Sequence, residues 1–278
     1  MNQVHDLAWH TAVFRTLNEA RRIEPNRVVN GAFWELTTAG YASVITLGIR
    51  KLIDNDSRTD SLWNMIALVE KRPELLTREK FICYDGLPFD HKAVKSRYYE
   101  SLDLTKDRRV RWLSTKGPEA WTTSEMMQKA FDKLTANLGK RKRTDTVDPS
   151  ILVSLKEMLN HPAIEKVRSL ADKRMAHAER LSGDAGAAPT ATYSDIDDAL
   201  HQIVRVANFL SSGFFYDRAF GSVVPTPQFD VLDGLDAPWV TTENISKLHE
   251  HWREISHSVD NWATESFELP IPIEREGQ

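Results

Sequence analysis

The sequence predicts an all-α protein, a helical bundle with a long insertion and a C-terminal helical extension. Apolar residues recur every three or four positions over most of the chain, which is the period of a helix with one buried face. Helix-capping residues and prolines separate these periodic runs. With 278 residues and 41% hydrophobic content, the chain is also long enough to bury a sizeable core.

The first two predicted helices are long. One covers residues 3–22 and is broken by Pro25, because proline removes a backbone hydrogen bond. The other covers about residues 26–53 and is the longest apolar-leaning stretch of the chain. Its apolar residues are interrupted by Glu35 and Arg50, so we predict a helix buried in the protein and not a membrane span.

Two short helices follow, before a region without clear periodicity. Asp60 or Ser61 is placed to cap the first of them, which stops before Pro73. The second covers residues 77–81. Between Cys83 and Pro118, residues 84–88 mark a turn, and residues 102–113 carry many charges and only weak apolar periodicity, so no helix is assigned there.

The remaining five helices begin at clear start signals, either a capping side chain or a proline in the first turn. In the fourth of them, the apolar residues from Ile196 to Phe214 alternate between spacings of four and three. This spacing predicts a helix packed along another at a shallow angle. In chain order the five starts are Thr123 or Ser124, Asp148, Pro162, Ser194 or Asp195, and Thr242.

Composition and motifs exclude several classes of function. A net charge of −4 gives no general attraction to nucleic acid, so RNA binding would need a local patch. The chain has a single cysteine, Cys83, and it shows neither a signal-peptide pattern nor a membrane span. Together these features predict a cytoplasmic protein. Glycine-rich phosphate loops, Cys-x-x-Cys and His-Glu-x-x-His motifs do not occur, so we expect neither a cofactor nor a metal site.

The most informative stretch is residues 168–180, a charge-dense run with a single histidine, His177. Counted at about 100° per residue, His177 points roughly 110° away from the apolar stripe of its helix. Leu170, Arg174 and Leu181 lie on the same flank as His177. A surface that is neither core nor plain solvent predicts a contact with another subunit or a ligand. The apolar stripe itself consists of Ile164, Val167, Ala171, Met175 and Ala178.

Four parts of the chain occur in an order that is typical of a known superfamily. They are the end of the long helix at 44–54, the capped start at 60–63, the polar run 172–177 and the bundle helix that starts at 194. In this order they resemble the HEPN superfamily (the higher eukaryotes and prokaryotes nucleotide-binding domain), most closely its abortive-infection AbiU-like branch. The resemblance covers about residues 26–216.

The resemblance implies a domain arrangement, an assembly and an activity. Residues 1–25 would form an N-terminal helix, 26–220 the HEPN-like bundle with residues 74–148 as an insertion, and 221–278 a C-terminal extension with one helix. The resemblance also implies a homodimer in which the helices that carry His177 face each other across a cleft. Active members of the superfamily are metal-independent ribonucleases built on an Arg-x4–6-His motif, so the chain is expected to act in a prokaryotic toxin or phage-defence system.

This sequence departs from that motif in one respect. The positions five to seven residues before His177 hold Asp172, Ala171 and Leu170, and none of them is an arginine. Arg174 lies on the same flank as His177 and Arg168 lies on nearly the opposite side of the helix, so Arg174 is the better substitute for the missing motif arginine. The ribonuclease hypothesis therefore makes His177 the general base for the ribose 2′-hydroxyl and Arg174 the cation for the phosphate, with Asp172 as a third catalytic residue. The candidate substrate-binding residues are Lys173, Arg168 and Arg180.

A second hypothesis gives the chain no catalytic activity. The missing motif arginine favours a silent HEPN domain that binds RNA or nucleotide, or that dimerises or docks with another defence or antitoxin protein. In that case His177 need only be a favourable partner for the negative end of its helix dipole. The sequence leaves the choice between enzyme and binding module open.

Two further polar clusters have both an ordinary and a functional interpretation. The run 140–143 contains four cations and fits an RNA-phosphate patch, although such runs in loops are more often solvated surface. Asp54 and Asp56 at a helix end suggest a metal site. They have no histidine or cysteine nearby, which favours cap and turn chemistry instead.

Overall fold

The structure is a computed structural model, and its helices make up most of the chain. Ten α-helices and no β-strand are found among the residues it describes, which confirms the predicted all-α class. The described residues are 2–24, 30–101, 113–137, 139–176, 190–215, 222–235, 237 and 241–262, with backbone alone at 174–176, 259, 261 and 262. The helices are α1 (Asn2–Ile23), α2 (Gly31–Ile53), α3 (Leu62–Lys71), α4 (Arg78–Cys83), α5 (His91–Glu100), α6 (Trp121–Asp132), α7 (Pro149–Leu159), α8 (Pro162–Leu170), α9 (Tyr193–Phe209) and α10 (Ile245–Trp262).

The chain divides into two compact units, residues 1–226 and 227–278. The first unit contains α1 to α9, and the second contains α10. Within the first unit, α2 and α9 are central, because each of them packs against both α1 and α8. α7 packs on α9, and α3 packs on α7 and α2, which extends the bundle to one side.

α9 forms the middle of the core, as its spacing predicts. The six apolar residues that alternate in spacing from Ile196 to Phe214 are all buried, with at most 8% of each exposed. The last two of them lie in a π-helical turn, Leu210–Phe214, that continues α9. Ala199 and Val206 are buried as well. The buried apolar face of α9 is therefore wider than the single line of residues that alternates in spacing.

Several predicted helix starts are confirmed by their capping hydrogen bonds. The Ser61 hydroxyl accepts a hydrogen bond from the Asn64 N–H at 3.1 Å, so Ser61 and not Asp60 caps α3. The Asp148 carboxylate accepts one from the Ser150 N–H at 2.8 Å at the start of α7. These signals are local, because a cap and its N–H partner lie within one turn of each other.

Two other predicted starts are wrong. α6 begins at Trp121, before the predicted caps, and its Ser124 hydroxyl is buried and donates a hydrogen bond to the Pro88 carbonyl. α9 begins at Tyr193, capped by Thr192 and not by Ser194 or Asp195. In both cases a residue that is able to cap a helix makes a different contact, which its identity alone does not reveal.

Asp195 completes the cap of α9 as the third helical residue. The Thr192 hydroxyl accepts from the Asp195 N–H at 3.1 Å, and the Asp195 carboxylate accepts from the Thr192 N–H at 2.9 Å, which is a capping box. The Lys166 ammonium of α8 lies 2.8 Å from the same carboxylate and, together with Thr192, lowers the pKa of Asp195 to about 2. The start of α9 is thereby tied to α8.

Helix α5 lies in the region where no helix is predicted. Asp90 caps it, with its carboxylate accepting from the Ala93 N–H at 3.1 Å. The helix buries only His91 and Val94, so its apolar periodicity is too weak to detect. α5 packs against α6, which in turn packs against α4.

A buried arginine joins the parts of the insertion. The Arg78 side chain is fully buried and contacts the carboxylates of Asp132 at 2.8 Å and Asp145 at 3.0 Å. It also donates to the side-chain oxygen of Gln128 at 3.0 Å, and its guanidinium carbon lies 4.9 Å from the centre of the Phe131 ring. Charge, hydrogen bonding and ring contact therefore connect α4, α6 and the loop that follows α6.

Two arginines of the basic run 140–143 take part in this arrangement, and both keep part of their side chains in solvent, 34% of Arg141 and 55% of Arg143. Arg141 pairs with Asp132 at 2.6 Å. Arg143 pairs with Glu79 at 2.5 Å and lies 4.4 Å from the centre of the Phe89 ring. Because these two cations already have acidic partners, the run offers less free positive charge to RNA than its sequence suggests.

The prediction that α2 is buried holds for one face only. Tyr41, Ile45 and Ile49 are buried, while the opposite face is apolar and exposed, with Leu36 at 70%. Gly40 lies in the middle of this face, with open space where a Cβ would project. We call the exposed apolar residues of this face the α2 stripe: Phe33, Leu36, Val44 and Leu47.

No described helix is long and apolar enough to cross a membrane.

The second unit contains α10, which follows a 3-10 turn at Thr242–Asn244. The helix therefore starts close to the predicted position and is described as far as Trp262; the last two residues of the predicted helix, which runs to about residue 264, lie outside the described residues. Leu248, Trp252 and Ile255, apolar residues spaced four and three apart along α10, are exposed.

Candidate functional site

The candidate site lies where α8 changes its helical geometry. α8 begins at Pro162, capped by His161, and continues from Ala171 to Ala176 as π-helical turns. Three members of the predicted stripe, Ile164, Val167 and Ala171, are buried, as predicted. The other two, Met175 and Ala178, lie outside the residues whose side chains are described.

The helix that leads to His177 is π-helical at residues 171–176. Its hydrogen bonds there join residues five apart instead of four, so each residue turns less about the helix axis. The angle predicted for His177 assumes an α-helix throughout, and it stays a prediction because His177 lies outside the described residues. Turns of this kind are frequent at functional sites, so the polar run is an unusual segment in structure as well as in sequence.

The predicted site residues fall into two groups. His177 and Arg180 lie outside the described residues, and Arg174 is described by its backbone alone. Lys173 is exposed, and Arg168 forms an exposed ion pair with Glu165 at 2.9 Å. Asp172 makes a contact that the sequence does not indicate, described next.

Arg50 is the residue that sequence reasoning missed. It lies in the last turn of α2, and its Nε donates a hydrogen bond to the Asp172 carboxylate. The pair forms because α2 packs against both α8 and the π-helical turns. The side chains remain 38% and 40% exposed, so solvent or a ligand can reach them. This hydrogen bond raises the pKa of Arg50, and Asp54 adds a smaller contribution in the same direction.

A shallow depression lies one helical turn along α2 from Arg50 and one turn along α8 from Asp172. It lies between the end of α2, the start of α3 and the junction of α7 with α8. Ile53 on its wall is one turn beyond Arg50, and Arg168 on its rim is one turn before Asp172. The depression is lined by Ile53, Asn55, Trp63, Leu159, Asn160, Ile164, Glu165 and Arg168.

The loop that borders this depression is held by turn chemistry, as predicted for Asp54 and Asp56. The Asp54 carboxylate accepts a hydrogen bond from the Asp56 N–H at 3.0 Å, and the Asp56 carboxylate accepts one from the Arg58 N–H at 3.0 Å. The Asn64 amide donates to the Asp56 carbonyl at 2.6 Å. In the part of the chain that the structure describes, no group of His, Cys, Asp and Glu side chains is arranged to hold a metal ion.

Comparison with known proteins agrees with the sequence resemblance. A sequence profile of the AbiU2 family, a HEPN family, matches residues 2–234. The matched segment includes α1 and the insertion, so it is longer than the stretch 26–216 on which the resemblance is based. No curated protein and no solved structure matches the chain. The profile spans most of the sequence, and the chain therefore belongs to the AbiU2 family of HEPN proteins.

Proposed function

We propose that this protein is a metal-independent ribonuclease of a prokaryotic abortive-infection system, acting on RNA in the cytoplasm. The AbiU2 match supports the abortive-infection part of this proposal. The observation that carries the ribonuclease part is the position of Arg50. Its guanidinium pairs with Asp172 on the helix that leads to His177, where the motif has no arginine of its own.

In the proposed reaction, His177 removes the proton of a ribose 2′-hydroxyl. The 2′-oxygen attacks the adjacent phosphorus, the bond to the 5′-oxygen of the next nucleotide breaks, and a 2′,3′-cyclic phosphate forms. The leaving 5′-oxygen takes a proton from water and becomes a 5′-hydroxyl, and His177 returns its proton to solvent. A histidine suits the first step, because its usual pKa of about 6.5 leaves it largely neutral at pH 7 and able to accept a proton. A cation is needed for the charge that develops on the phosphate.

Arg50 is suited to be that cation. An arginine has five N–H donors, and the contact with Asp172 uses the one on Nε. The terminal NH2 groups make no hydrogen bond to another described residue, so they remain available to two phosphate oxygens. Asp172 acts in this proposal as a positioning residue that orients the guanidinium. Arg174, Lys173 and Arg180 would add charge along the same segment.

We propose further that two copies form a homodimer around this site. The α2 stripe supports this assembly, because Leu47 lies one turn before Arg50 and the stripe therefore ends next to the Arg50–Asp172 pair. A second copy covering the stripe would bring the two candidate sites towards one interface, and the interface is isologous if the dimer is symmetric.

The alternative function is a silent HEPN domain that binds RNA or nucleotide, or an antitoxin or other defence protein. One observation favours it: Asp172 already neutralises Arg50. In a silent domain the Arg50–Asp172 pair would have a structural role alone, which is to hold α2 against the π-helical turns.

The deciding experiment incubates the purified protein with end-labelled RNA in EDTA and identifies the product termini. We expect cleavage with 2′,3′-cyclic phosphate ends, abolished in His177→Ala and reduced about 100-fold or more in Arg50→Ala. Arg58→Ala is the matched control, because Arg58 is an exposed arginine that also pairs with an aspartate. Ends with a 3′-hydroxyl, or full activity in Arg50→Ala, would contradict the mechanism. If the wild type cleaves none of the RNAs tested, the ribonuclease hypothesis fails and the silent HEPN domain is the function that remains.

A further inference from the structure

We infer that α10 binds α10 of a second copy of this chain, as an antiparallel pair of helices. The inference goes beyond the proposed ribonuclease and the dimer through the α2 stripe, because it concerns the second unit alone. It follows from three features of α10: an exposed apolar face with a regular spacing, uncharged flanks beside that face, and an order of large and small residues that fits its own reverse.

The apolar face of α10 has the spacing of a helix that packs along another helix. From Ile245 its residues are three, four and three positions apart, and Val259 and Trp262 continue the alternation in the sequence. Such an alternation keeps side chains in one line, the seam of two helices that cross at a shallow angle. Trp252 is 72% exposed and the other three described residues are about half exposed. We call these four residues the α10 stripe: Ile245, Leu248, Trp252 and Ile255.

Within the second unit, the described residues do not cover the α10 stripe. No apolar side chain that the structure describes between residues 227 and 262 is buried. Val231 and Leu232, in the segment that precedes α10, are themselves exposed. An amphipathic helix of this length is stabilised mainly by packing of its apolar face, which favours a partner for the stripe.

The charged residues of α10 lie away from the stripe. At about 100° per residue, the positions that flank it within a quarter turn hold only histidine and serine: His249, His251, Ser256 and Ser258. Charges at these flanking positions usually set the choice of partner in paired helices. With none there, two copies of α10 meet without repulsion between like charges. The charged residues of the far side are Lys247, Glu250, Arg253, Glu254 and Asp260.

The far side of α10 argues against a lipid surface as the partner. It carries two cations and three anions, so its net charge is negative. Helices that lie in a membrane interface are rich in lysine and arginine on their polar face, because anionic lipids attract these cations. The stripe therefore fits another apolar helix better than a membrane.

The order of residues along the seam favours an antiparallel pair. A parallel pair would place Trp252 opposite Trp252 of the second copy, and two indoles at one level crowd helices whose axes are 8–10 Å apart. Antiparallel overlap of the full helices places Trp252 opposite Ile255 and Leu248 opposite position 259. A large side chain then meets a smaller one, which fills the space between the helices.

The first test measures sedimentation of the full-length chain in a Leu36→Glu background, which removes the contact through the α2 stripe. We expect association that depends on concentration. Leu248→Glu with Ile255→Glu should weaken it about 30-fold or more, because two charges would be buried in the seam. The control is Lys247→Gln with Arg253→Gln, which changes the net charge by the same amount on the far side of α10 and should leave the association unchanged.

The second test determines the direction of the pair by cross-linking. In a Cys83→Ser background, which removes the native cysteine, Leu248→Cys and Val259→Cys proteins of different tag length are mixed with oxidised glutathione. The glutathione accepts the two electrons as two thiols join. We expect the mixture to form a disulfide-linked dimer and each protein alone to form little. Lys247→Cys mixed with Val259→Cys is the control and should not cross-link, because Lys247 lies on the far side.

The outcomes separate this inference from its alternatives. No cross-link in any mixture, with equal association in Leu36→Glu and in the variant with charges on α10, would overturn the pair. Cross-linking of each protein with itself and not of the mixture would overturn the antiparallel direction. Binding to phosphatidylserine vesicles that Leu248→Glu with Ile255→Glu abolishes, without self-association, would assign the stripe to a lipid surface instead.

The same outcomes are independent of the proposed function. RNA cleavage by a chain that does not pair through α10 would leave the ribonuclease standing and overturn this inference. Pairing through α10 without cleavage of any RNA would support the inference and contradict the ribonuclease.

Discussion

Arg78 is the largest side chain that is completely buried among the described residues. Its charge is balanced by Asp145, which is almost fully buried, and by Asp132. Removing one partner of a buried ion pair is costly, because it leaves an uncompensated charge without water. We therefore expect Arg78→Met to lower the free energy of unfolding by about 3–5 kcal/mol, measured by denaturant unfolding followed by circular dichroism.

Arg58→Met is the control for that prediction, because it removes an exposed arginine that also pairs with an aspartate. We expect it to change the unfolding midpoint little, since solvent screens exposed pairs. Equal midpoints for Arg78→Met and the wild type would show that the buried charges do not stabilise the insertion.

His91 makes stability depend on pH. Burial lowers the pKa of His91, against a smaller opposite effect of Glu125. The unfolded chain therefore binds a proton at this position before the folded chain does, as the pH falls below about 6.5. Stability from this residue is complete above that pH and declines below it. The unfolding temperature should fall between pH 7.5 and 5.5, and it should fall less in His91→Gln.

The control for the pH measurement is His201→Gln, which replaces an exposed histidine of α9. It should keep the pH dependence of the wild type. If His91→Gln and the wild type lose the same number of degrees, the protonation of His91 is not coupled to unfolding.

At the scale of elements, α2 has two roles. Its buried face forms part of the core, its last turn supplies Arg50, and the α2 stripe is left exposed. We expect the wild type to be a dimer at micromolar concentration. Leu36→Glu should shift it towards monomer, because a charge would be buried in the interface. Sedimentation velocity measures the change.

Leu68→Glu is the matched control for the dimer, because Leu68 is an exposed leucine of α3. It should leave the dimer intact. The alternative interface is the flank of the His177 helix, where Leu170 lies. If Leu170→Asp gives monomers and Leu36→Glu does not, the α2 stripe is not at the interface.

At the scale of the whole molecule, the bundle and the C-terminal unit differ in how they are stabilised. The buried apolar residues of the described chain all lie at or before Phe214, and the AbiU2 match ends at residue 234. We expect a chain that ends at Gly234 to unfold cooperatively, within a few degrees of the full-length protein. Circular dichroism during heating tests this. A broad transition or aggregation of the shorter chain would show that the C-terminal unit stabilises the bundle.

Sequence reasoning succeeds where the signal is local. The caps at Ser61 and Asp148 act within one helical turn, and the spacing from Ile196 to Phe214 repeats along one helix. It fails at α5, which buries too few apolar residues to show a period, and at Ser124, whose hydroxyl makes a tertiary contact. The run 172–177 is recognised from the sequence as polar and unusual, but the π-helical geometry of residues 171–176 is not.

By itself, then, the sequence determines the all-α class, most of the helices and the membership of the AbiU2 family. The position of a cation beside the polar run is decided by tertiary structure alone. Arg50 and Asp172 are separated by 122 residues, and Arg78 and Asp145 by 67. Nothing in either local pattern indicates the partner, because such pairs form only once packing of the apolar faces has set the distance between the helices.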